Sequence, residues 1–300
     1  MAIPNFPDSR ELVLEDKAIF DRLFVNHPPE ISAYTFSNLF SWREQQRYVI
    51  SLVRDMVMVW SDRDAGPLCL QPFGKGDTVE AIKTVLHQNS EKPAMFHRIH
   101  ADVAATFSTD TAYRVEANRD DFDYLYQTAD LADLPGKRYD GKRNFVKRFK
   151  SEYNPEYLQM TGETCLEAIA FSHRWCQERS CEKVEGMRKE HCAVYQMLTN
   201  FDNLKLQGGA IRVGGEIVAF SLGEALNPDT LVCHVEKGDT DLTGVYQAIN
   251  NDFAIHEGIG FSYINREQDL GVKGLRKAKE SYHPTRLVEA WSIARAERGI

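Results

Sequence analysis

The sequence predicts a mixed α/β protein built from two similar halves in tandem. The tetrapeptide KGDT occurs at residues 75–78 and again at 237–240, about one domain length apart. Each copy follows an apolar stretch typical of a strand, precedes a helical pattern, and has a hairpin-like pair of strands upstream. This shared element order makes the repeat more than a coincidence of four residues. We expect mixed sheets, a first half over residues 1–155 and a second over 156–300.

The first half begins its sheet with RYVISLVRDMVMVW, residues 47–60, which is rich in β-branched and apolar residues around a charged break. This pattern predicts two strands joined by a tight turn. GPLCLQPFG, residues 66–74, adds a third apolar stretch, and VEAIKTVLHQ, residues 79–88, follows KGDT as a helix.

The second half repeats this order. GGAIRVGGEIVAFSLGEA predicts a hairpin that turns at Gly214-Gly215, and TLVCHVE predicts the next strand. In the following helix Val245, Ile249 and Phe253 recur on one face. GFSYIN returns as a strand, LGVKGLRKAKESYH is a short helix ended by Pro284, and TRLVEAW is a final strand.

The composition indicates a globular protein. The 300 residues are 43% hydrophobic and 27% charged, with a formal net charge of −8. No run approaches the roughly 18 apolar residues that span a bilayer, so we expect no transmembrane segment and a cytoplasmic location. The acidic balance argues against a DNA partner.

Six cysteines raise the question of a metal site, because four of them fall between residues 165 and 192, near His173 and His191. Their spacing, C-x10-C-x4-C-x10-C, contains none of the close ligand pairs that structural zinc sites use. We therefore expect reduced thiols and no metal.

The segment LPGKRYDGKRNFVKRFK, residues 134–150, carries seven Lys and Arg residues against one Asp. On a helix from about residue 141, Arg143, Lys147 and Lys150 share one side, while Phe145 and Phe149 face the core beside it. This basic face is a candidate site for phosphate or carboxylate groups. The alternative is a solvated surface neutralised by nearby acidic residues.

A second basic constellation lies in residues 265–286. Arg266 and Asp269 follow a strand, at the edge where α/β proteins often bind ligands, and Lys273 and Arg276 share one face of the next helix. Leu275, Ala278 and Tyr282 lie on its opposite face. A solvated helix with a polar loop is the alternative.

Three stretches carry a resemblance to a known family: YLYQTADLADLPGKRYDGKRNFVKRF, HVEKGDTDLTGVYQAINNDFA and YINREQDLGVKGLRKAKESYHP. Together they resemble the DUF2156 family, related to the C-terminal catalytic domain of phosphatidylglycerol lysyltransferases, over about residues 20–291. The resemblance implies two tandem GNAT-like (acetyltransferase-type) domains, as in Fem-type aminoacyl transferases. It implies acyl-CoA or aminoacyl-tRNA as the donor, and an anionic small molecule or lipid head group as the acceptor.

Acyl transfer requires a route for the acceptor's proton and donors for the developing oxyanion. His234 and Glu236 lie on the same side of their strand and are candidates for proton handling, as is Tyr282, although a core tyrosine is the alternative for the latter. Arg266, Lys273 and Arg276 are the preferred anion-binding residues. Asp239 and Asp241 would repel the pyrophosphate of coenzyme A, which weakens acetyl-CoA as donor.

The favoured function is therefore an acyl or aminoacyl transferase that holds an anionic acceptor between two GNAT-like halves. Two alternatives stay open. One is a non-catalytic ligand-binding or regulatory protein that kept the fold, and the other is a protein that binds a tRNA end without catalysis.

Overall fold

The computed structural model describes residues 2–88 and 92–296 and divides the chain into two compact units. Unit 1 comprises Met1–Asp123, Gln268–Lys273 and Leu287–Ile300. Unit 2 comprises Tyr124–Glu267 and Gly274–Arg286. Each unit contains one mixed seven-stranded sheet with helices packed on it, so the predicted mixed α/β architecture with two sheets is confirmed.

Unit 1 contains the following helices and strands: β1 (Arg10–Glu11), α1 (Lys17–Asn26), α2 (Phe36–Gln46), β2 (Val49–Val53), β3 (Met56–Ser61), β4 (Leu68–Cys69), α3 (Thr78–Gln88), β5 (Met95–Ile99), α4 (Ala101–Phe107) and β6 (Tyr113–Ala117).

The following helices and strands belong to unit 2 or to its sheet, and the unit boundaries fall within β7, α11 and β13: β7 (Asp123–Gln127), α5 (Thr128–Asp133), α6 (Asp140–Tyr153), β8 (Glu156–Gln159), α7 (Gly162–Glu178), α8 (Glu185–Thr199), α9 (Phe201–Leu204), β9 (Gln207–Val213), β10 (Glu216–Asn227), β11 (Thr230–Gly238), α10 (Val245–His256), β12 (Tyr263–Asn265), α11 (Lys273–Glu280) and β13 (Arg286–Val288). The last strand, β14 (Trp291–Arg295), belongs to the sheet of unit 1.

The sheet of unit 1 has the order β1-β2-β3-β4-β5-β14-β6, in which β4 and β5 run parallel. The hairpin predicted over residues 47–60 is confirmed as β2 and β3. On α3, Ile82 and Val85 are fully buried and pack with Met58, Phe96 and other strand residues in one core. Burying side chains of this size stabilises the fold by about 1.5 to 3 kcal/mol each.

The sheet of unit 2 has the order β13-β7-β12-β11-β10-β9-β8, in which β11 and β12 run parallel. The hairpin at Gly214-Gly215 is confirmed as β9 and β10. The predicted stripe of α10 is also confirmed, because Val245, Ile249 and Phe253 are all buried.

Both KGDT copies lie in connections from a strand to a helix. In the first copy, Asp77 Oδ1 accepts hydrogen bonds from the amides of Val79 (2.9 Å) and Glu80 (3.1 Å) at the start of α3. In the second, Lys237 and Gly238 are the last two residues of β11, and α10 begins only after Gly244. The superposition of two duplicated halves stays a prediction.

Two local expectations differ from the structure. Residues 124–153, expected in the first half, pack in unit 2 because β7 pairs with β12 and α6 packs on α10. TRLVEAW, expected as one strand, is divided into β13 and the start of β14, which pairs with β5 and β6.

Gly223 offers a test of the packing in unit 2. A Cβ atom at this position would lie 2.1 Å from the carbonyl oxygen of Val232 and 2.9 Å from the ring of Phe253. We expect Gly223→Ala to lower the free energy of unfolding by about 1 to 3 kcal/mol, since β10 cannot approach β11 as closely. Urea denaturation measures this difference.

Gly186 in α8 is the matched control, because nothing lies within 4 Å of a Cβ atom there. Gly186→Ala should be neutral or stabilise by about 0.5 kcal/mol. Equal stabilities for the Gly223→Ala and Gly186→Ala variants would contradict the close approach of the two strands.

Candidate active site

A buried ion pair forms the centre of the candidate site in unit 2. Glu236 lies on β11, and Arg266 follows β12, the strand parallel to β11. Arg266 Nη2 donates to Glu236 Oε1 at 3.0 Å and to Oε2 at 3.1 Å, and the two side chains are only 12% and 15% exposed. The pairing of adjacent strands thus brings together two residues that the sequence analysis selected separately.

Two polar atoms beside this ion pair are buried without a partner. Arg266 Nη1 has no hydrogen-bond acceptor among the described residues. Asn250 on α10 donates from Nδ2 to Glu236 Oε2 at 3.1 Å, but its own Oδ1 accepts nothing from the described part of the chain. An unmatched donor and an unmatched acceptor therefore flank one carboxylate, and both favour a polar ligand or an ordered water.

Lys142 on α6 supplies a second cation. Its Nζ lies 3.9 Å from the centre of the Tyr282 ring and donates to Ser281 Oγ at 2.7 Å. The Arg266 guanidinium lies 4.9 Å from the same ring. Burial, and then the charge of Arg266, lower the pKa of Lys142 to about 8. Lys142 can therefore exchange a proton close to neutral pH.

The aromatic frame of the site is fixed by backbone hydrogen bonds. Tyr126 donates to the carbonyl of Lys279 at 2.8 Å, and Tyr139 donates to the carbonyl of Tyr282 at 2.8 Å. Lys279 Nζ in turn donates to the carbonyl of Arg266 at 2.5 Å. These bonds tie the end of α11 to the strand end that carries Arg266. We call Lys142, Glu236, Asn250, Arg266 and Tyr282 the Arg266 cluster.

Tyr282, predicted as a catalytic candidate, is a buried member of this cluster. Burial raises the pKa of its phenol, so the hydroxyl stays protonated at neutral pH. Glu236 keeps the pKa of Arg266 above its usual value even though burial acts in the opposite direction. At neutral pH the cluster thus holds a neutral phenol and a permanent guanidinium charge.

His234, the other catalytic candidate on β11, is enclosed. Its side chain is 1% exposed, with Nε2 3.0 Å from Glu224 Oε1 and Nδ1 2.7 Å from Glu267 Oε1. Burial alone would lower the pKa of His234, but the hydrogen bonds to both carboxylates raise it to about 9. The imidazolium joins three neighbouring elements of the sheet, and neither ring nitrogen is open to a substrate.

The basic residues of α6 differ in their surroundings. Arg143 donates to the carbonyls of Leu134 and Gly136 and to Asp140, and Lys150 pairs with Asp252 at 2.7 Å. Lys147 is exposed and has no ion-pair partner within residues 2–88 and 92–296.

The expectation that both phenylalanines of α6 are buried is wrong for one of them. Phe149 is buried, but Phe145 is 43% exposed. The helix is rotated so that Val146 and Phe149 face the core and Lys142 faces the cluster.

The remaining candidates lie outside the Arg266 cluster. Asp269 belongs to unit 1, where it is fully buried and pairs with Arg119 at 3.1 Å. Lys273 is exposed at the start of α11, and Arg276 is half-buried one turn later. The prediction that Leu275, Ala278 and Tyr282 form the core face of α11 is wrong for Leu275, which is 39% exposed, and for Ala278, which is also exposed, because Lys279 is buried instead.

Sequence reasoning missed Lys142, Asn250 and Tyr126. Lys142 belongs to the basic segment, which the sequence analysis noted, but the direction in which its side chain points depends on how α6 packs. Asn250 follows Ile249 of the apolar stripe and carried no separate signal. Tyr126 lies on a strand that the sequence placed in the other half.

The cluster lies within a region that matches a known protein family. The family described as phosphatidylglycerol lysyltransferase, C-terminal, matches residues 26–294. The chain belongs to this family. The phosphatidylglycerol lysyltransferase C-terminal family also accounts for the long motifs that led to the resemblance.

Solved structures share the fold of the chain. A conserved protein of unknown function from Bacteroides thetaiotaomicron VPI-5482 is 31% identical, with a TM-score of 0.89 over 96% of this chain and 99% of that one. The structure of L-PGS from Bacillus licheniformis is 16% identical, with a TM-score of 0.69 over 100% of this chain and 96% of that one, and shares the fold.

A further relative is an uncharacterised protein of Mycoplasmoides gallisepticum, 22% identical over 173 residues. The match covers 57% of this chain and 55% of that protein, so it spans about half the length of this curated relative.

Two further properties of the described residues concern membranes and metal ions. No helix there is long and apolar enough to cross a membrane. No group of three or more His, Cys, Asp and Glu side chains in residues 2–88 and 92–296 is arranged to hold a metal ion. All six cysteines are free thiols, four of them buried.

The bridge formed by His234 predicts a pH-dependent stability. The folded pKa of about 9 lies above the ordinary 6.5, so the imidazolium stabilises the fold fully below pH 6.5, and this contribution is lost as the pH rises towards 9. The contribution is on the order of 3 kcal/mol. The gap in unfolding free energy between wild type and His234→Gln should therefore shrink from pH 6 to pH 9, as measured by urea denaturation.

His283 is exposed in the same unit, and His283→Asn is the control because Asn tolerates the positive φ of 54° there. It should follow the wild-type pH profile. A gap between wild type and His234→Gln that stays constant or widens with pH would show that His234 is not a bridging cation.

Proposed function

We propose that the chain is an aminoacyl transferase and that the Arg266 cluster is its transfer site. The observation that carries the proposal is the Lys142 amine, which has a lowered pKa and shares the Tyr282 ring with the Arg266 guanidinium, whose Nη1 is unmatched, inside the region matched to the family. Acyl transfer needs a proton carrier and an oxyanion donor within one site, and these two groups supply both.

The reaction moves an aminoacyl group from an ester of the donor to a hydroxyl or amine of the acceptor. Neutral Lys142 takes the proton of the acceptor group as its oxygen or nitrogen attacks the ester carbonyl. The bond between the carbonyl carbon and the donor oxygen then breaks, and Lys142 returns the proton to that oxygen. Protons balance over the cycle. A pKa of about 8 suits this double role because both protonation states are accessible near neutral pH.

Arg266 acts on the carbonyl oxygen in this scheme. Its Nη2 is held by both oxygens of Glu236, which fixes the plane of the guanidinium and leaves the Nη1 hydrogens for the developing negative charge. A donor that is preorganised in this way needs no reorientation during the reaction. Glu236 and Asn250 are positioning residues, and the unmatched Asn250 Oδ1 offers an acceptor for an amino group.

The donor that fits best is an aminoacyl ester, as on charged tRNA, because the related lysyltransferases are named for lysyl transfer to phosphatidylglycerol. Acyl-CoA fits less well. Asp239 and Asp241 precede α10, where a coenzyme A pyrophosphate would meet the helix N-terminus, and their charges oppose it. The acceptor we propose is a lipid head group with a phosphate, for which the exposed Lys147 supplies a cation, since Lys142 is neutral when it takes the proton of the acceptor.

Lys142 provides the sharpest test. Transfer of radiolabelled lysine from charged tRNA to phosphatidylglycerol micelles would be followed by thin-layer chromatography of the lipid. We expect Lys142→Ala to lower kcat by about 10²- to 10⁴-fold, since proton transfer is lost. Lys142→Arg keeps the charge but cannot give up its proton, so it should be nearly as slow. In wild type the rate should rise with pH and level off above about 8.

Lys147→Ala, five residues along α6, is the matched control: it removes only an exposed contact to the lipid phosphate, so it should raise KM for the lipid and keep the wild-type kcat and pH profile. Melting temperatures of all variants check that the fold is retained. A Lys142→Arg variant with the wild-type rate would remove Lys142 from proton transfer. Absence of transfer by wild type with every aminoacyl-tRNA offered would contradict the transferase itself.

A further inference from the structure

A histidine in unit 1 has a fixed tautomer and an unmatched donor. Gln71 Oε1 accepts from the backbone amide of His100 at 3.1 Å, so the other amide atom, Nε2, must be the one 3.2 Å from His100 Nδ1. An NH₂ group can only donate, and Nδ1 therefore accepts, which leaves the ring hydrogen on Nε2. Nε2 is buried and has no acceptor in the described part of the chain.

The position of the His100 ring is also fixed. It meets the Tyr34 ring edge-on at a centroid distance of 5.5 Å and the Phe73 ring at 6.1 Å. The Tyr34 hydroxyl accepts from the backbone amide of Gln71 at 2.9 Å and donates to the backbone carbonyl of Arg98 at 2.7 Å. These ring contacts and the hydrogen bond from Gln71 to Nδ1 fix the orientation of the imidazole, so the Nε2–H keeps one direction.

His100 lines a cavity of about 310 Å³ within unit 1. Buried Met56, Gln71 and Phe73 form part of its wall, and the exposed residues Asn26 and His27 lie at its rim. Gln71 has both side-chain amide atoms engaged by His100, so it offers the cavity no free donor or acceptor pair of its own, while His100 Nε2 is unmatched. The cavity opens beside the first KGDT turn, since Gly74 and Thr78 also line it.

We propose that this cavity binds a small neutral molecule that presents a carbonyl oxygen to His100 Nε2. None of the lining residues is Lys, Arg, Asp or Glu, so an anion would lose its hydration without gaining a permanent countercharge. A neutral amide or ester pays a smaller desolvation penalty and satisfies the buried donor. Its alkyl part would contact Met56 and Phe73. The proposal concerns unit 1 alone and does not depend on the transferase activity of the Arg266 cluster.

The test uses N-methylacetamide as the probe and sodium acetate as its anionic counterpart. The full chain, labelled with ¹³C at the methionine methyl groups, reports binding through Met56, whose signal is assigned by Met56→Leu. We expect a saturable shift of the Met56 methyl signal with N-methylacetamide and a much weaker response to acetate. Millimolar affinity is expected for a ligand of so few atoms.

His100→Phe removes the donor but keeps a ring, and should weaken binding about tenfold, the value of one hydrogen bond to a buried donor. His87→Gln, on α3 and outside the cavity, should bind as wild type does. A Met56 signal that does not saturate, equal affinity of wild type and His100→Phe, or tighter binding of acetate would each overturn the proposal. In the first case, the partner of the His100 Nε2–H would be an ordered water and not a carbonyl ligand.

Discussion

The buried ion pair between Glu236 and Arg266 is the interaction on which unit 2 and its site depend. It joins β11 to the residue that follows β12, beyond the last paired residues of these parallel strands, and α10 reaches the same carboxylate through Asn250. Burying two charges is costly, and this pair offsets part of the cost through its two hydrogen bonds and the one from Asn250, while Arg266 Nη1 stays unmatched. Lys279 Nζ donates to the backbone carbonyl of Arg266, and Tyr126 donates to the backbone carbonyl of Lys279. These two hydrogen bonds fix the end of α11 beside the residue that forms the ion pair.

The same ion pair sets the chemistry of its neighbour. Lys142 lies over the Tyr282 ring and near a guanidinium that cannot lose its charge, and both burial and this charge disfavour its own protonation. Without Glu236, the positive charge of Arg266 would act on Lys142 without compensation. Electrostatics and packing therefore give one lysine a different role from Lys147 and Lys150, which lie on the same helix and remain exposed.

Much of the fold could be predicted because its signals are local. Alternating apolar residues around Gly214-Gly215 and the stripe from Val245 to Phe253 depend on periodicity alone. The site was predictable only where strand position was informative, as for Glu236 and Arg266. Lys279 and Lys142 were beyond reach because a lysine is normally exposed, and their burial depends on carbonyl and hydroxyl acceptors that other elements supply. The division into units depends on long-range pairing of β7 and β14, which no local pattern encodes.

The most direct measurement for the central claim is a crystal structure with an adenosine that carries lysine through a stable 3′-amide in place of the reactive ester. The account predicts the lysyl carbonyl oxygen within hydrogen-bond distance of Arg266 Nη1 and the amide nitrogen facing Lys142 Nζ. Density for the aminoacyl group at another surface, with the Arg266 cluster holding only water, would contradict it.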